Sequence, residues 1–473
     1  MQNQMRTVLD SDRIGPLLFK LTMPAFFGML VQTLYNVVNT IFLGQAVGSL
    51  AIAATSIVFP LQMLMMGIGM MVGMGGTSLI SRSLGSGQTE KAERTLGNGL
   101  TAIAVISIII TALILPNISG FLRLIGASDE VMPYAKDYLG IITIGTIFNL
   151  VGMALLNFIR AEGNARVPMI GNMLGAGLNF VLDYILIIHL RWGVKGAALG
   201  TIIAQTVVLV YLSYFYISKH SYLKLRKVNL RPDLSILKPM FAIGVSSFVQ
   251  TVASSISALL LISRVISYGG DIYLSAFGII QRVMMFATMP AMVIGQGVQP
   301  ILGYNYGAKR FGLALKALKL AAFTSTGFST IAFIVIYSFP NIFIRIFSSD
   351  PALVEAGVHT SRLVFLGMPI MGIVMLGTNS FISLGKATQA FFTALARPVL
   401  FLIPSVLILP RLLGLDGVFY SFPSSDILTM LFTVLLLIPI IREFQKASRS
   451  ELMGKLEPVP VQTFPESPEG SRK

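Results

Sequence analysis

The sequence predicts an all-α membrane protein of 12 transmembrane helices, arranged as two pseudo-symmetric six-helix lobes around a central cavity. Three observations lead there. Of 473 residues, 54% are hydrophobic and only 12% charged, with mean hydropathy +0.79, whereas a soluble domain carries about 25% charged residues. Apolar runs of about 18 or more residues recur between residues 17 and 441, and twelve can be counted. The second half also repeats the first at one spacing. At an offset of 222 residues Gly73 matches Gly295, Gly75 matches Gly297, Gly85 matches Gly307, Asn157 matches Asn379, Gly163 matches Gly385 and Ala165 matches Ala387.

Residues 1–16 read as a cytoplasmic lead, whose Arg6, Asp10, Asp12 and Arg13 argue against a cleavable signal peptide. The N lobe, residues 17–218, holds six spans. The first (17–43) contains Pro24 and Gly28, which interrupt the hydrogen-bond ladder and make Pro24 a candidate hinge. Spans follow at 51–80, 96–116, 132–159, 167–188 and 194–217. A basic cytoplasmic linker, 219–238, precedes the C lobe at 239–441, and a Pro- and Ser-rich tail, 442–473, is expected to be disordered. With the N-terminus inside, 26 of the 35 lysines and arginines fall in segments facing the cytoplasm. The positive-inside rule thus accounts for the net charge of +15, so nucleic-acid binding is not expected. With both termini cytoplasmic, a cell-membrane monomer in contact with lipid is predicted. Parallel repeats about an axis along the membrane normal are a transporter architecture.

The fifth span carries the clearest chemistry. Asn172, Asn179 and Asp183 sit at i, i+7 and i+11 and share one helical face. An ionisable group inside a membrane helix costs roughly 3 kcal/mol or more unless it faces protein or a wet cavity, and Asp183 lies about 24 Å into its span. Other spans of the N lobe carry polar stripes: Gln32, Asn36 and Asn39 in the first, Asn149 and Asn157 in the fourth, Thr201 and Gln205 in the sixth. Each amide alone is worth only about 0.6 kcal/mol as interhelical glue; the cluster with an acid is what marks an ion site. The candidate ion-coupling set is Asp183, Asn179, Asn39, Thr201 and Asn157. The acid can carry H⁺, or with Asn179 and Thr201 can hold Na⁺, since hard cations take oxygen ligands. No other cofactor is expected.

For the cavity wall the candidates are Gln32, Tyr35, Asn36, Tyr138, Met173, Gln205, Met66, Met285, Gln281 and Arg282. Met63, Met65, Met66, Met70, Met71 and Met74 in the second span are mirrored by Met284, Met285, Met289 and Met292 in the eighth, and flexible Met surfaces suit ligands of varied shape. Arg282 is placed about 15 Å into its span, too deep for easy snorkelling.

The stretches YNVVNTIFLGQAVG, LISRSLGSGQTEKAE, NFIRAEGNARVPM, NFVLDYILI and ILGYNYGA resemble the multidrug and toxic compound extrusion (MATE) family over nearly the whole chain apart from the tail. The resemblance implies alternating access and export of amphipathic, often cationic compounds in exchange for H⁺ or Na⁺, with ion coupling in the N lobe. Pro24, Gln32, Tyr35, Asn157, Asn179, Asp183 and Thr201 match the family pattern. One residue departs from it. Where the family reads Tyr-Asn-x-x-Asp, this chain ends the motif on Asn39, an amide that cannot titrate. Either Asp183 carries the coupling alone, or Asn39 imitates a protonated aspartate and biases one conformational state. A flippase of lipid-linked saccharides is the nearest alternative within transport. An enzyme is not expected: no cysteine is present, the three histidines lie at separate span ends, and neither HExxH nor a Walker A loop occurs.

Overall fold

The structure, a computed structural model, describes residues 8–46, 48–218 and 220–456. Eleven of its helices are long and apolar enough to cross a membrane. One of them, Leu234–Gly307, has 74 residues, and a straight helix of that length would measure about 110 Å against a hydrocarbon core of about 30 Å. Gly270 breaks it. The backbone there takes φ 68° and ψ −165°, a conformation essentially confined to glycine. The twelve spans are therefore α1 (Ile14–Ala46), α2 (Ser49–Gly85), α3 (Thr89–Ile114), α4 (Met132–Ala161), α5 (Arg166–Asp183), α6 (Gly193–Ile217), α7 (234–269), α8 (271–307), α9 (Phe311–Ser338), α10 (Pro351–Leu384), α11 (Ala387–Leu413) and α12 (Leu415–Leu456).

The repeat seen in the sequence recurs in the geometry. Gly163 after α4 and Gly385 after α10 both take left-handed φ, 88° and 71°. Each closes its helix with the same pair of backbone bonds: Gly163 N to Arg160 O and Asn164 N to Ile159 O in one lobe, Gly385 N to Ile382 O and Lys386 N to Phe381 O in the other. Asn157 donates Nδ2 to Met153 O at 2.8 Å and Asn379 donates to Met375 O at 3.0 Å. Each amide lies against a glycine, Gly73 or Gly295, where a Cβ would come within 2.6 and 2.7 Å of it.

The lobes meet where α2 crosses α7 and α8. A Cβ on Gly75 would lie 2.1 Å from Met240 O, and one on Gly244 would lie 1.8 Å from Met71 O. Farther along, Gly85 faces Tyr304 O at 1.9 Å and Gly307 faces Arg82 O at 2.1 Å by the same measure. The offset of 222 exchanges these last two contacts. Gly303 packs on Ser81, its own counterpart, so the pseudo-twofold axis passes between them. Small residues let the backbones approach this closely, which is how membrane helices associate without a hydrophobic drive. One apolar core runs across this seam, joining the N lobe to Met240, Val298, Ile301 and Leu318. Another, around Phe277, Phe365 and Phe419, belongs to the C lobe alone.

The linker is a strap fastened to the N lobe. Glu93 accepts from Lys224 N at 3.2 Å and pairs with Arg226 at 3.3 Å. Asn98 accepts from Asp233 N at 2.6 Å and donates to Asn229 O at 3.0 Å. Glu162 Oε2, just past α4, accepts from Ser221 Oγ at 2.6 Å and from Tyr222 N at 3.0 Å. Helix α7 already begins at Leu234, inside the predicted linker. The predicted tail is corrected as well. Helix α12 continues to Leu456, because residues 442–456 are rich in Glu, Gln, Lys, Ala and Leu and Phe444 is buried against Tyr306 and Phe311. The remainder of that tail, 457–473, and lead residues 1–7 lie outside the described residues.

Burial pushes the Glu162 carboxyl up from 4.5 to about 7, against the opposing hydrogen bonds from Ser221 Oγ and Tyr222 N. The folded chain then keeps a proton that the unfolded chain has lost, so stability falls as pH rises from about 4.5 through about 7. Melting temperature in detergent is expected to drop across that window, and Glu162→Gln is expected to flatten the drop. An unchanged slope in the variant would contradict the assignment.

Candidate functional site

Three helices converge on Asp183. The acid ends the α-helical part of α5, after which Tyr184–His189 continue as a π-helix, a form frequent at functional sites. Asp183 is fully buried, and its Oδ1 accepts from Asn179 Nδ2 at 3.0 Å. Among the described residues its Oδ2 has no hydrogen-bond partner. Helix α6 presents Gly200, where a Cβ would stand 2.8 Å from Asp183 Oδ1 and 3.3 Å from Asn179 Nδ2. Gly196, one turn earlier, faces Leu186 O just as closely. Helix α1 closes on α5 at Gly28, which lies against Met169 and Asn172. It contributes Tyr35, whose hydroxyl meets Thr201 and stands in the field of Asp183. Asn39 Nδ2 donates to the same hydroxyl at 3.0 Å, while its Oδ1 is buried without a partner. Thr201 Oγ1 donates to Ala197 O at 2.9 Å.

Tyr138 on α4 also stands in the field of Asp183, and its hydroxyl accepts from Gln62 Nε2 at 3.4 Å. Asp183, Asn179, Tyr35, Asn39, Thr201 and Tyr138 are thus brought together. Asn157 is not: it bonds to Met153 O and packs on Gly73, and among the described residues none of its hydrogen bonds reaches Asp183. Its duplicate in the C lobe performs the same packing, so the matched pair marks helix association. Gln32, Gln281, Met66, Met173 and Met285 are exposed, and Gln205 is half-buried. The Met stripes divide, since Met65, Met74 and Met289 are buried in packing. The Asn36 side chain lies outside the described residues. Pro24 lies within the unbroken α1. The Arg282 guanidinium, eleven residues into α8, sits 6.0 Å over the ring of Phe347, in the connection between α9 and α10.

In the C lobe, Asp426 of α12 is buried and accepts from Arg397 Nε at 2.7 Å. Its charge is matched within the lobe, unlike that of Asp183. A cavity of about 200 Å³ lined by Lys20, Glu162, Asn164 and Arg166 lies at the opposite end of α5, about 26 Å from Asp183 along the helix. Sequence reasoning missed Gly200 and Gln62. The spacing of Gly196 and Gly200, a small-xxx-small pattern, is the signal that points to a close helix contact beside the acid.

Two six-helix repeats joined at a glycine-lined seam, with a buried acid inside the span of the first that has no ion-pair partner among the described residues, define a two-lobed membrane transporter rather than an enzyme. The MatE family model matches residues 24–185 and 243–407, more than half of the chain, and the chain belongs to that family. Multidrug export protein MepA of Staphylococcus haemolyticus is 26% identical over 421 residues, covering 89% of this chain and 92% of the relative. Its namesake in Staphylococcus aureus is 24% identical, covering 96% and 100%. Among solved structures, the MATE multidrug transporter DinF-BH in complex with R6G is 39% identical, with TM-score 0.84 over 90% of this chain and 96% of that one. A MATE family transporter solved in an outward-facing conformation superposes at TM-score 0.88 with 24% identity, covering 93% and 98%, and shares the fold.

Space beside the acid is the property most easily removed. Gly200→Ala is expected to displace the Asp183 carboxyl and reduce ion-driven transport about tenfold or more, while leaving yield and melting temperature near those of the parent. Gly177→Ala, where a Cβ meets open space, is the matched control. Equal transport by both variants would show that the contact does not matter.

Proposed function

We propose that the chain is a secondary multidrug exporter of the cell membrane, exchanging amphipathic, cationic drug-like compounds for H⁺ by alternating access, with Asp183 as the coupling acid. The carrying observation is one carboxylate sealed among three helices with an unpartnered oxygen. A buried charge without a counter-charge is stable only if it binds a proton or a cation. Tyr35, Thr201 and Asn179 surround it with polar groups that suit either form. Binding and release of the ion alter what α1, α5 and α6 share, and so bias the two facing states. In this reading both termini are cytoplasmic, as the distribution of basic residues favours, and the chain acts as a monomer. Gln32, Gln281, Met66, Met173 and Met285, exposed on their helices, are assigned to the substrate wall. The names of the MepA relatives and of the DinF-BH structure support the substrate class.

A second reading has a specific observation behind it. Asn39 Oδ1 and Asp183 Oδ2 are both buried acceptors without partners, as a Na⁺ site built from carboxylate, amide and hydroxyl oxygens requires. Transport in proteoliposomes with H⁺ and Na⁺ gradients imposed separately, using a cationic dye, distinguishes the two ions. Asp183→Asn is expected to abolish gradient-driven efflux without loss of folded protein; normal efflux by that variant would overturn the coupling role. Asn39→Asp is expected to restore a second titrating group on α1 and to shift or broaden the pH profile of transport. An unchanged rate and profile would remove α1 from the ion site.

A further inference from the structure

Arg160 and Gln296 form a side-chain pair across the seam that its internal symmetry does not reproduce. Arg160, in the last turn of α4, donates Nη1 to Gln296 Oε1 on α8, and its Nε donates to Leu156 O at 3.3 Å. This is a hydrogen bond between lobes. Applying the offset of 222 to both residues gives Ile382 and Met74. Those two are buried together in the third apolar core, with Ile243 and Leu302. One side of the pseudo-twofold axis is therefore closed by Met74 and Ile382, and the equivalent place on the other side by a guanidinium and an amide. Among the described residues Arg160 has no carboxylate partner. The residue after Gln296, Gly297, packs on Thr22, whose buried Oγ1 also lacks a partner. Both groups gain hydrogen bonds when water enters the seam, whereas Met74 and Ile382 lose their packing.

The contacts between lobes lie in one half of the bundle. They involve residues 10–22, 67–85, 99 and 160 of the N lobe with 240–251, 296–320 and 382–385 of the C lobe, including the 2.5 Å ion pair of Arg310 with Asp10. That half carries the N-terminus. The assigned cavity residues Gln32, Gln281 and Met285 lie in the other half of their helices.

We infer that the Arg160–Gln296 hydrogen bond is the latch of this closed half: it holds the lobes shut toward the cytoplasm, and its release to water is the step that opens them inward. The inference rests on the alternating-access reading above and makes Arg160 and Gln296 positioning residues that act on the lobes, remote from the ion. A weak bond inside the seam, beside the more exposed Arg310–Asp10 ion pair at its edge, suits the task. Lost to alanine, a membrane hydrogen bond of about 0.6 kcal/mol shifts a two-state population roughly threefold.

The chain has no cysteine, so Gln88→Cys and Lys316→Cys, exposed positions on the closed ends of the N and C lobes, can carry spin labels without further changes. Double electron–electron resonance in lipid nanodiscs, with no gradient and no substrate, reads their separation. Gln296→Ala is expected to raise the long-distance population roughly threefold. Arg160→Ile combined with Gln296→Met, which copies the apolar side of the axis, is expected to suppress that population and to stop dye transport while the protein remains folded. Distances in Gln296→Ala equal to the parent's would overturn the latch, as would an open population undiminished in the double variant. If Gln296→Ala does not yield folded protein, the double variant decides alone. Failure of the coupling reading is separate: it shows as efflux surviving Asp183→Asn, whatever the distances.

Discussion

Backbone meeting backbone across α2, α7 and α8 is the constraint from which the rest follows. In a bilayer, apolar side chains gain little by leaving lipid for protein, so two lobes stay together only where they fit closely. Gly75, Gly85, Gly244 and Gly307 supply that fit, each with a carbonyl oxygen from the other lobe where a Cβ would stand. The contact lies on the axis and uses both repeats equivalently. The C-lobe residues that join the shared apolar core, among them Met240, Val298, Ile301 and Leu318, lie in the half of the bundle that carries this contact.

The two lobes differ most in how they treat a buried acid. Asp426 is paired with Arg397 inside its own lobe, so its charge is a fixed structural feature. Asp183 receives one amide hydrogen bond and has a glycine beside it in place of a cation. Within the membrane spans, the same architecture thus holds one carboxylate paired with a cation and one that is not. Asn39 fits this asymmetry. It reaches the Tyr35 hydroxyl but brings no second charge to the site.

Much of this was legible in the sequence, for identifiable reasons. Span count follows from the bilayer's thickness, and the 222-residue offset exposed the repeat because glycine at a left-handed turn or a backbone contact admits no substitute. Asp183 stood out because an acid in an apolar run is costly. What was not legible depends on direction and length. Asn157 carries a polar group at the expected level of the helix, yet points it into a glycine contact. Arg282 stacks over Phe347, a partner that lies in a connection far along the chain and that nothing in an apolar run reveals. The helical extension past Arg442 rests on Phe444 docking against distant aromatic rings, a partner that local composition does not reveal. Gly200 was missed because a glycine in a membrane helix has many ordinary uses.

The strap between the lobes bears on the order of assembly. Its fastenings, Glu93, Asn98 and Glu162, all precede it in the chain, so these contacts are available once synthesis has reached Asp233. The first six helices can therefore be sealed at this face while the remainder is still on the ribosome. The second six have no such independence, since Gly244 and Gly307 find their partners on α2. The first lobe is in this sense the template, and the second is cast against it.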